Sequence, residues 1–244
     1  LDMLPPSAFI LDDGAGRIRQ FGRVAVFKDI LGRQANSRIW RALRNAIRDV
    51  NTQVSTQRNL EIIVVGSFAG GTGSGMFLDV ALILRLLAQQ EKVHHTLRGF
   101  FALPSVFTPA PDSDMKARTF AAWRELNRFM VVNSDFPMPL IEYVEDDPTY
   151  RIRPTQRIFD SCYLVDSTRG GTPIAAEPRM GVHPMVAEVI SAILDEHAGT
   201  AYSQGISQNL APEYTRTPEV PLYSAVGAFT VQVPAHYLQE VTTH

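Results

Sequence analysis

The chain has 244 residues, of which 45% are hydrophobic and 20% charged, and its net charge is −2. This composition supports a sizeable core in one large domain or one and a half domains. The small net charge gives no global field that would favour nucleic acid or an anionic membrane as a partner. The single cysteine, Cys162, excludes an internal disulfide framework and a cysteine-based zinc site.

Neither a membrane-spanning pattern nor a signal-peptide pattern is recognised in the sequence. No apolar run reaches the roughly 18 residues that a membrane span needs. The chain starts without a methionine and without a signal-peptide pattern. We therefore expect a segment of a longer, intracellular and cytoplasmic protein.

The first 59 residues predict a turn and a helix before any strand of a central sheet. Residues 1–11 are apolar with two prolines and predict a loop that leads into a short extended piece. In residues 12–23, composition predicts a turn at Gly14, Ala15 and Gly16. Residues 35–50 predict an amphipathic helix whose arginines lie outside the apolar stripe, a pattern that is typical of a solvated face; the alternative is contact with nucleic acid or an acidic partner.

Residues 61–87 contain the most informative pattern of the chain. Residues 62–65 are an apolar run that predicts a buried strand, and apolar spacing from Phe77 onward predicts a helix over residues 76–90. Between them lies the glycine loop, residues 66–75. Free N–H groups and the positive dipole end of a helix favour an anion at this place, and glycines let the backbone approach it closely. The candidate phosphate-binding residues are Gly70, Gly71, Thr72, Gly73, Ser74 and Gly75.

Other glycine-rich loops fit this spacing less well. No Gly-Lys-Ser/Thr sequence follows, which excludes a Walker A loop, and the spacing differs from G-x-G-x-x-G. A tight strand-to-helix turn without a ligand is the remaining alternative.

The rest of the chain alternates strands and helices. We expect strands at residues 97–107 and 159–167, helices at 115–131 and 183–198, the last mainly buried, and an insertion or mobile loop at 133–153. This order predicts an α/β fold with a parallel sheet covered by helices on both faces. Ligands of such sheets bind at the carboxyl ends of the strands. His94 and His95 are adjacent and point to opposite faces of a strand, so we expect surface positions and no shared metal site.

The sequence AGGTGSG at residues 69–75 closely resembles the GGGTGSG signature of the tubulin/FtsZ superfamily. Its setting, with a buried strand before it and a buried helix after it, is similar too, although Ala69 replaces the first glycine. The resemblance covers roughly residues 12–200 and is nearest to divergent bacterial tubulin-like proteins. It implies a Rossmann-like GTPase domain that binds GTP or GDP, and it allows for a Mg²⁺ ion with the nucleotide; the sequence shows no metal site of the protein's own.

The resemblance also implies roles for residues outside the glycine loop. Gly14, Ala15 and Gly16, with Gly22 and Arg23, resemble a loop that lies close to the terminal phosphate; the alternative is a surface turn. Asp114 and Arg118 resemble a pair that touches ribose and phosphate; the alternative is a surface ion pair. Ser167 stands where the family has a nucleoside-contacting asparagine. Glu188 stands where a side chain reads guanine, which implies a preference for GTP over ATP; the alternative is a solvent-facing glutamate.

The residues for hydrolysis are harder to identify. The family's Asn-x-Asp loop, which completes the hydrolytic site of the next subunit, is not recognised in residues 199–213, so Asp195 and Glu196 are the candidate catalytic acids. The family's first strand and first glycine loop are not recognised either. We expect a nucleotide-binding domain over residues 1–200, and a connector and the start of a second domain over 201–244, with a strand at 220–233. The segment alone is expected neither to polymerise nor to hydrolyse GTP efficiently.

Three functions remain open at this point. The first is a guanine-nucleotide-binding protein that assembles head to tail into filaments and hydrolyses GTP between subunits. The second is a nucleotide-gated module or adaptor that binds another protein without polymerisation or hydrolysis. The third is a dinucleotide-binding enzyme, which is disfavoured because no acidic ribose-binding residue follows about 20 residues after the glycine loop.

Overall fold

The computed structural model describes residues 18–33, 37–53, 59–108, 111–131, 137–169, 171–175, 178–195, 199–201, 204–205, 212–213, 216 and 221–225. The helices are α1 (Arg19–Arg33), α2 (Arg38–Gln53), α3 (Gly71–Gln90), α4 (Ser113–Met130) and α5 (Pro178–Leu194). The strands are β1 (Leu60–Ser67), β2 (His95–Ala102), β3 (Ile141–Glu142), β4 (Arg151–Ile152), β5 (Ser161–Val165), β6 (Thr168–Arg169) and β7 (Thr172–Pro173).

The central sheet is parallel and has the order β1-β2-β5. The ends of the three strands are in register, because Ser67 pairs with Ala102 and Ala102 pairs with Val165. The glycine loop therefore lies beside the loops that follow β2 and β5. This arrangement confirms the predicted α/β fold with a parallel sheet.

Helix α3 is the centre of the larger hydrophobic core. It packs with Val26 and Ile30 of α1, Trp40 and Ile47 of α2, and Phe101 of the sheet. Its length and hydropathy would suit a membrane span, but 78% of its apolar window is buried inside the protein. Its apolar character is therefore that of a core helix, buried on nearly all sides.

Helix α5 covers the opposite face of the sheet. A single stripe, Val182, Met185, Val189 and Ile193, packs on Phe100 and Tyr163. The prediction of a mainly buried helix at 183–198 is wrong in extent, because half of its residues face solvent and it begins at Pro178. The two faces of β2 separate the two cores, since the neighbouring residues Phe100 and Phe101 point to opposite sides.

Residues 137–153 are packed against the core, which corrects the prediction of a mobile loop for this part of residues 133–153; whether the segment is an insertion stays a prediction. Strands β3 and β4 form a short antiparallel pair, and Tyr143, Tyr150 and Ile152 are buried beside it. The Tyr143 hydroxyl donates to Asp79 Oδ1 of α3 at 3.0 Å. Proline and acidic residues gave this segment the composition of a loop, while three apolar side chains anchor it.

Helix α1 occupies a stretch that was expected to be a loop as far as Arg23. It places Gly22 and Arg23 in its second turn, where Arg23 Nε lies 3.3 Å from Asp79 Oδ2. Beyond α5, Ser224 forms a parallel bridge with Tyr163 of β5 and exchanges backbone hydrogen bonds with its neighbours. The division of the chain near residue 200 stays a prediction.

The buried carboxyl group of Asp79 gives a testable pH dependence. Burial raises its pKa, and this outweighs the opposing effects of Arg23 and the Tyr143 hydroxyl. The folded state therefore binds a proton more readily than the unfolded state does. Between the ordinary aspartate pKa and the raised value, this group lowers the free energy of unfolding as pH rises.

We expect Asp79→Asn to unfold at neutral pH with a free energy equal to that of the unchanged protein or up to about 2 kcal/mol higher. An amide oxygen still accepts from Tyr143, and Arg23 is half exposed, so no buried charge is left unpaired. The decline in stability with rising pH should flatten. Urea unfolding at several pH values measures both, with Glu145→Gln as the control that removes an exposed carboxylate. A loss of more than about 2 kcal/mol at pH 7 contradicts the expectation.

Candidate functional site: the glycine loop at the start of helix α3

The glycine loop connects the carboxyl end of β1 directly to α3. The strand ends at Ser67, three residues turn, and the helix begins at Gly71. The predicted start at residue 76 is therefore wrong by five residues. Gly71, Gly73 and Gly75 belong to the first turns of the helix, and Gly70 is its N-cap residue in an extended conformation.

Phe68 fixes the start of the loop. Its side chain is fully buried and stacks on Phe101 with ring centroids 4.8 Å apart, while Phe77 of α3 packs against both rings. Its backbone N–H donates to Ala102, and its carbonyl accepts from the Thr119 hydroxyl. Sheet, α3 and α4 thus hold the loop from three sides, so the start of α3 is a pre-formed feature.

The helix start is open on its outer side. A Cβ atom built on Gly70 meets no atom within 4 Å, and Gly70 has no side chain that could cap the first N–H groups of α3. The first turn contains no acidic residue, and its Thr72 side chain is exposed. The positive end of the helix dipole is thus available to an anion.

Ser74 closes the loop from inside. Its side chain is fully buried, and its hydroxyl donates to the carbonyl oxygen of Gly70. Ser74 therefore differs from Thr72, although both were predicted as hydroxyl donors to a phosphate. In the structure, the Ser74 hydroxyl stabilises the turn itself.

Arg118 of α4 brings a positive charge to the same place. Its Nε donates to the carbonyl oxygen of Ala69 at 3.4 Å. Its Nη2 is buried and has no hydrogen-bond partner in the described part of the chain. A buried donor without a partner is costly, and an anion bound at the helix start could satisfy it.

Helix α1 supports the loop from the other side. Arg19 Nε and Nη2 donate to the Ser74 carbonyl oxygen at 3.2 and 3.0 Å, and the same guanidinium forms an ion pair with Glu125 of α4 at 2.6 Å. Gly22 and Gly75 meet where α1 crosses α3, since a Cβ atom on Gly75 would lie 2.1 Å from the Arg19 carbonyl oxygen. The sequence placed Gly22 near a phosphate and gave no sign of this helix crossing.

The site thus combines a glycine-rich turn after a buried parallel strand with an open helix start flanked by arginines. The comparison with protein families agrees with these features. A family model described as tubulin-like matches residues 5–244. The chain belongs to the tubulin-like family. No curated protein and no solved structure matches this tubulin-like chain.

Other candidate residues of the tubulin-like chain lie at the same edge of the sheet. Asp114 and Arg118 form no ion pair with each other, because Asp114 is exposed and Arg118 turns to Ala69. Ser167 is buried after β5, and its N–H donates to Asp166, which also accepts from Ser105 of the loop after β2. The structure thus joins the loops after β2 and β5 through Asp166, a residue that had no predicted role.

Glu188 lies outside the stripe of α5 that faces the sheet beside the glycine loop. A groove of about 480 Å³ runs between β1 and α5 and is lined by Ser67, His183, Val186 and Ala187. At 100° per residue, Glu188 lies about 150° around α5 from that lining stripe, and its side chain is exposed. Its role in guanine recognition stays a prediction.

The candidate catalytic acids also stay predictions. Asp195 follows the last residue of α5, about 25 Å along the helix from its start at the loop edge, given a rise of 1.5 Å per residue. Asp195 therefore lies at the end of α5 that is far from this edge of the sheet. Glu196 lies outside the described residues, as do Gly14, Ala15 and Gly16.

Proposed function

We propose that this tubulin-like protein binds the phosphates of a guanine nucleotide at the glycine loop and assembles with further copies of itself. The buried Nη2 atom of Arg118, which has no partner in the described structure beside an open helix start, supports this most directly. A phosphate oxygen there would accept from Arg118 and from the N–H groups of α3. The choice of GTP or GDP rests on the family resemblance.

A Mg²⁺ ion fits this proposal as a companion of the nucleotide. No group of three acidic, histidine or cysteine side chains that could hold a metal occurs among the described residues. Mg²⁺ usually keeps several water molecules and binds through substrate phosphates with one or two carboxylates. The phosphates and water molecules would therefore supply most of its ligands.

A nucleotide-gated module without hydrolysis is the second candidate. Two carboxylates near the start of α3 are already engaged, because Glu125 pairs with Arg19 and Asp79 is buried against Tyr143. Neither is placed to orient an attacking water, and Asp195 lies at the far end of α5. Hydrolysis would then need an acid from a second subunit, as in the filament hypothesis.

We expect Arg118→Gln to weaken the binding of GTP by about 10- to 100-fold, the loss of one or two charge-assisted hydrogen bonds. Titration of a fluorescent GTP analogue measures this, and Arg124→Gln, an exposed arginine of the same helix, should bind like the unchanged protein. Equal affinities for all three proteins would remove Arg118 from the site. Sedimentation and phosphate release with GTP, on the same preparations, separate the self-assembling GTPase from the non-polymerising module.

A further inference from the structure

A second cavity lies at the opposite edge of the sheet from the glycine loop. It has a volume of about 440 Å³ and is bounded by the second half of α3, the start of β2 and residues 152–158. Since α3 runs from the glycine loop to this edge, the two places are separated by most of its length, roughly 25 Å at 1.5 Å per residue. A ligand here would be independent of one bound at the glycine loop.

The described residues that line this cavity include three arginines and two histidines and no carboxylate: Arg85, Arg153, Arg157, His94 and His95. Arg85 is the innermost. Its side chain is only 8% exposed, and it forms an ion pair with Asp160 at 3.0 Å and donates to the Ile158 carbonyl oxygen at 3.1 Å. Asp160 is thus paired with Arg85, and Arg153 adds a further positive charge to the cavity.

His95 is partly buried and contacts Arg85, so it is less exposed than the surface position expected for it. Its Nδ1 lies 3.1 Å from the Val93 carbonyl oxygen, and its Nε2 lies 3.1 Å from Arg85 Nη1. Because a carbonyl only accepts and a guanidinium only donates, Nδ1 carries the hydrogen and Nε2 is the acceptor. Burial lowers the pKa of His95, with a further contribution from Arg85, in agreement with this neutral form.

Arg153 and His94 stand exposed at the cavity's edge. Their side chains form no hydrogen bond or ion pair with the described part of the chain. Arg157 is tied by its Nε to the Met130 carbonyl oxygen at 2.8 Å. The cavity thus combines a fixed inner cation with two unengaged basic side chains at its opening.

We propose that this cavity binds a small molecule through an oxyanion group, a phosphate or a carboxylate. A guanidinium presents paired donors that match both groups. A volume of this size is typical of pockets for small ligands. Arg153 and His94 contact the oxyanion, and Arg85, oriented by His95, supplies positive charge from the cavity wall.

The test titrates the whole chain separately with pyrophosphate and with citrate, and follows the histidine ring signals by NMR together with the heat of binding. We expect the rings of His94 and His95 to shift with at least one of the two probes. Arg153→Gln should weaken that binding by about tenfold or more, whereas Arg124→Gln, an exposed arginine outside the cavity, should not. Binding of pyrophosphate alone assigns a phosphate ligand, and binding of citrate alone assigns a carboxylate.

Gly70→Val tests whether binding in this cavity is independent of the glycine loop. That substitution should leave the histidine shifts and the effect of Arg153→Gln unchanged, because Gly70 lies at the other edge of the sheet. Ring signals that do not move with either probe up to about 10 mM would overturn the proposal, since binding weaker than this has little specificity. An equal loss of affinity in Arg153→Gln and Arg124→Gln would overturn it as well.

Discussion

Gly70→Val is expected to lower the affinity for nucleotide by about 100-fold or more while changing the melting temperature by no more than about 2 °C. The backbone of Gly70 has φ −94° and ψ 170°, which any residue can adopt, and a Cβ atom there meets no protein atom within 4 Å. The added side chain therefore costs the fold little. It would, however, fill the space in which a phosphate approaches the first N–H groups of α3.

The measurement pairs titration of a fluorescent GTP analogue with thermal unfolding followed by circular dichroism. Gly205→Val is the matched control, because a Cβ atom on Gly205 also enters open space and this residue lies beyond the far end of α5. Unchanged nucleotide affinity in Gly70→Val would show that no phosphate lies against the start of α3. A large loss of stability would show that the space beside Gly70 is filled in the folded protein.

The sequence was sufficient to predict the sheet and the position of the glycine loop. The apolar runs at β1, β2 and β5 have the length and composition of buried strands. Because segments with helical periodicity separate these strands, the strands are expected to pair in parallel. The order of loops at one edge of the sheet follows from that pairing. These features depend on local patterns, which a single sequence carries.

Glycine was the residue type that misled the prediction of helix boundaries. Gly22, Gly71, Gly73 and Gly75 lower the intrinsic helix propensity of their segments, and loops were expected at the starts of both α1 and α3. In the structure, Gly22 and Gly75 face backbone atoms at distances that leave no room for a Cβ atom, and a Cβ atom on Gly73 would be in tight contact with Ser67. Tertiary contact between elements overrides propensity there, and one sequence does not show which elements meet.

The same reason explains the missed residues of the candidate site. The link from Arg19 to the Ser74 carbonyl joins residues 55 positions apart, and the contact of Asp166 with Ser105 spans 61 positions. Arginine is so frequent in this chain, 20 of 23 basic residues, that its type alone marks no function. Arg118 could be singled out only because it follows a family pattern.

Gly75→Ala is expected to lower the free energy of unfolding by about 3 kcal/mol or more, at the upper end of the cost of overpacking. The new Cβ atom would lie 2.1 Å from the Arg19 carbonyl oxygen and 3.0 Å from its carbon, distances that force α1 away from α3. Alanine would otherwise stabilise a helix by about 1 kcal/mol relative to glycine. A lower free energy of unfolding therefore indicates close packing at the helix crossing, whereas a higher one indicates helix propensity alone.

The control is Gly70→Ala, five residues earlier, whose Cβ atom has open space and which should unfold like the unchanged protein. Gly22→Ala tests the crossing from the other side, since its Cβ atom would lie 2.9 Å from the Gly71 carbonyl oxygen. Both substitutions separate the same two helices, so the double variant should lose less stability than the two single losses added together. Urea unfolding of the four proteins measures this coupling. If Gly75→Ala has unchanged or increased stability, α1 does not pack on the start of α3. The hydrogen bonds from Arg19 to the Ser74 carbonyl oxygen would then not form either.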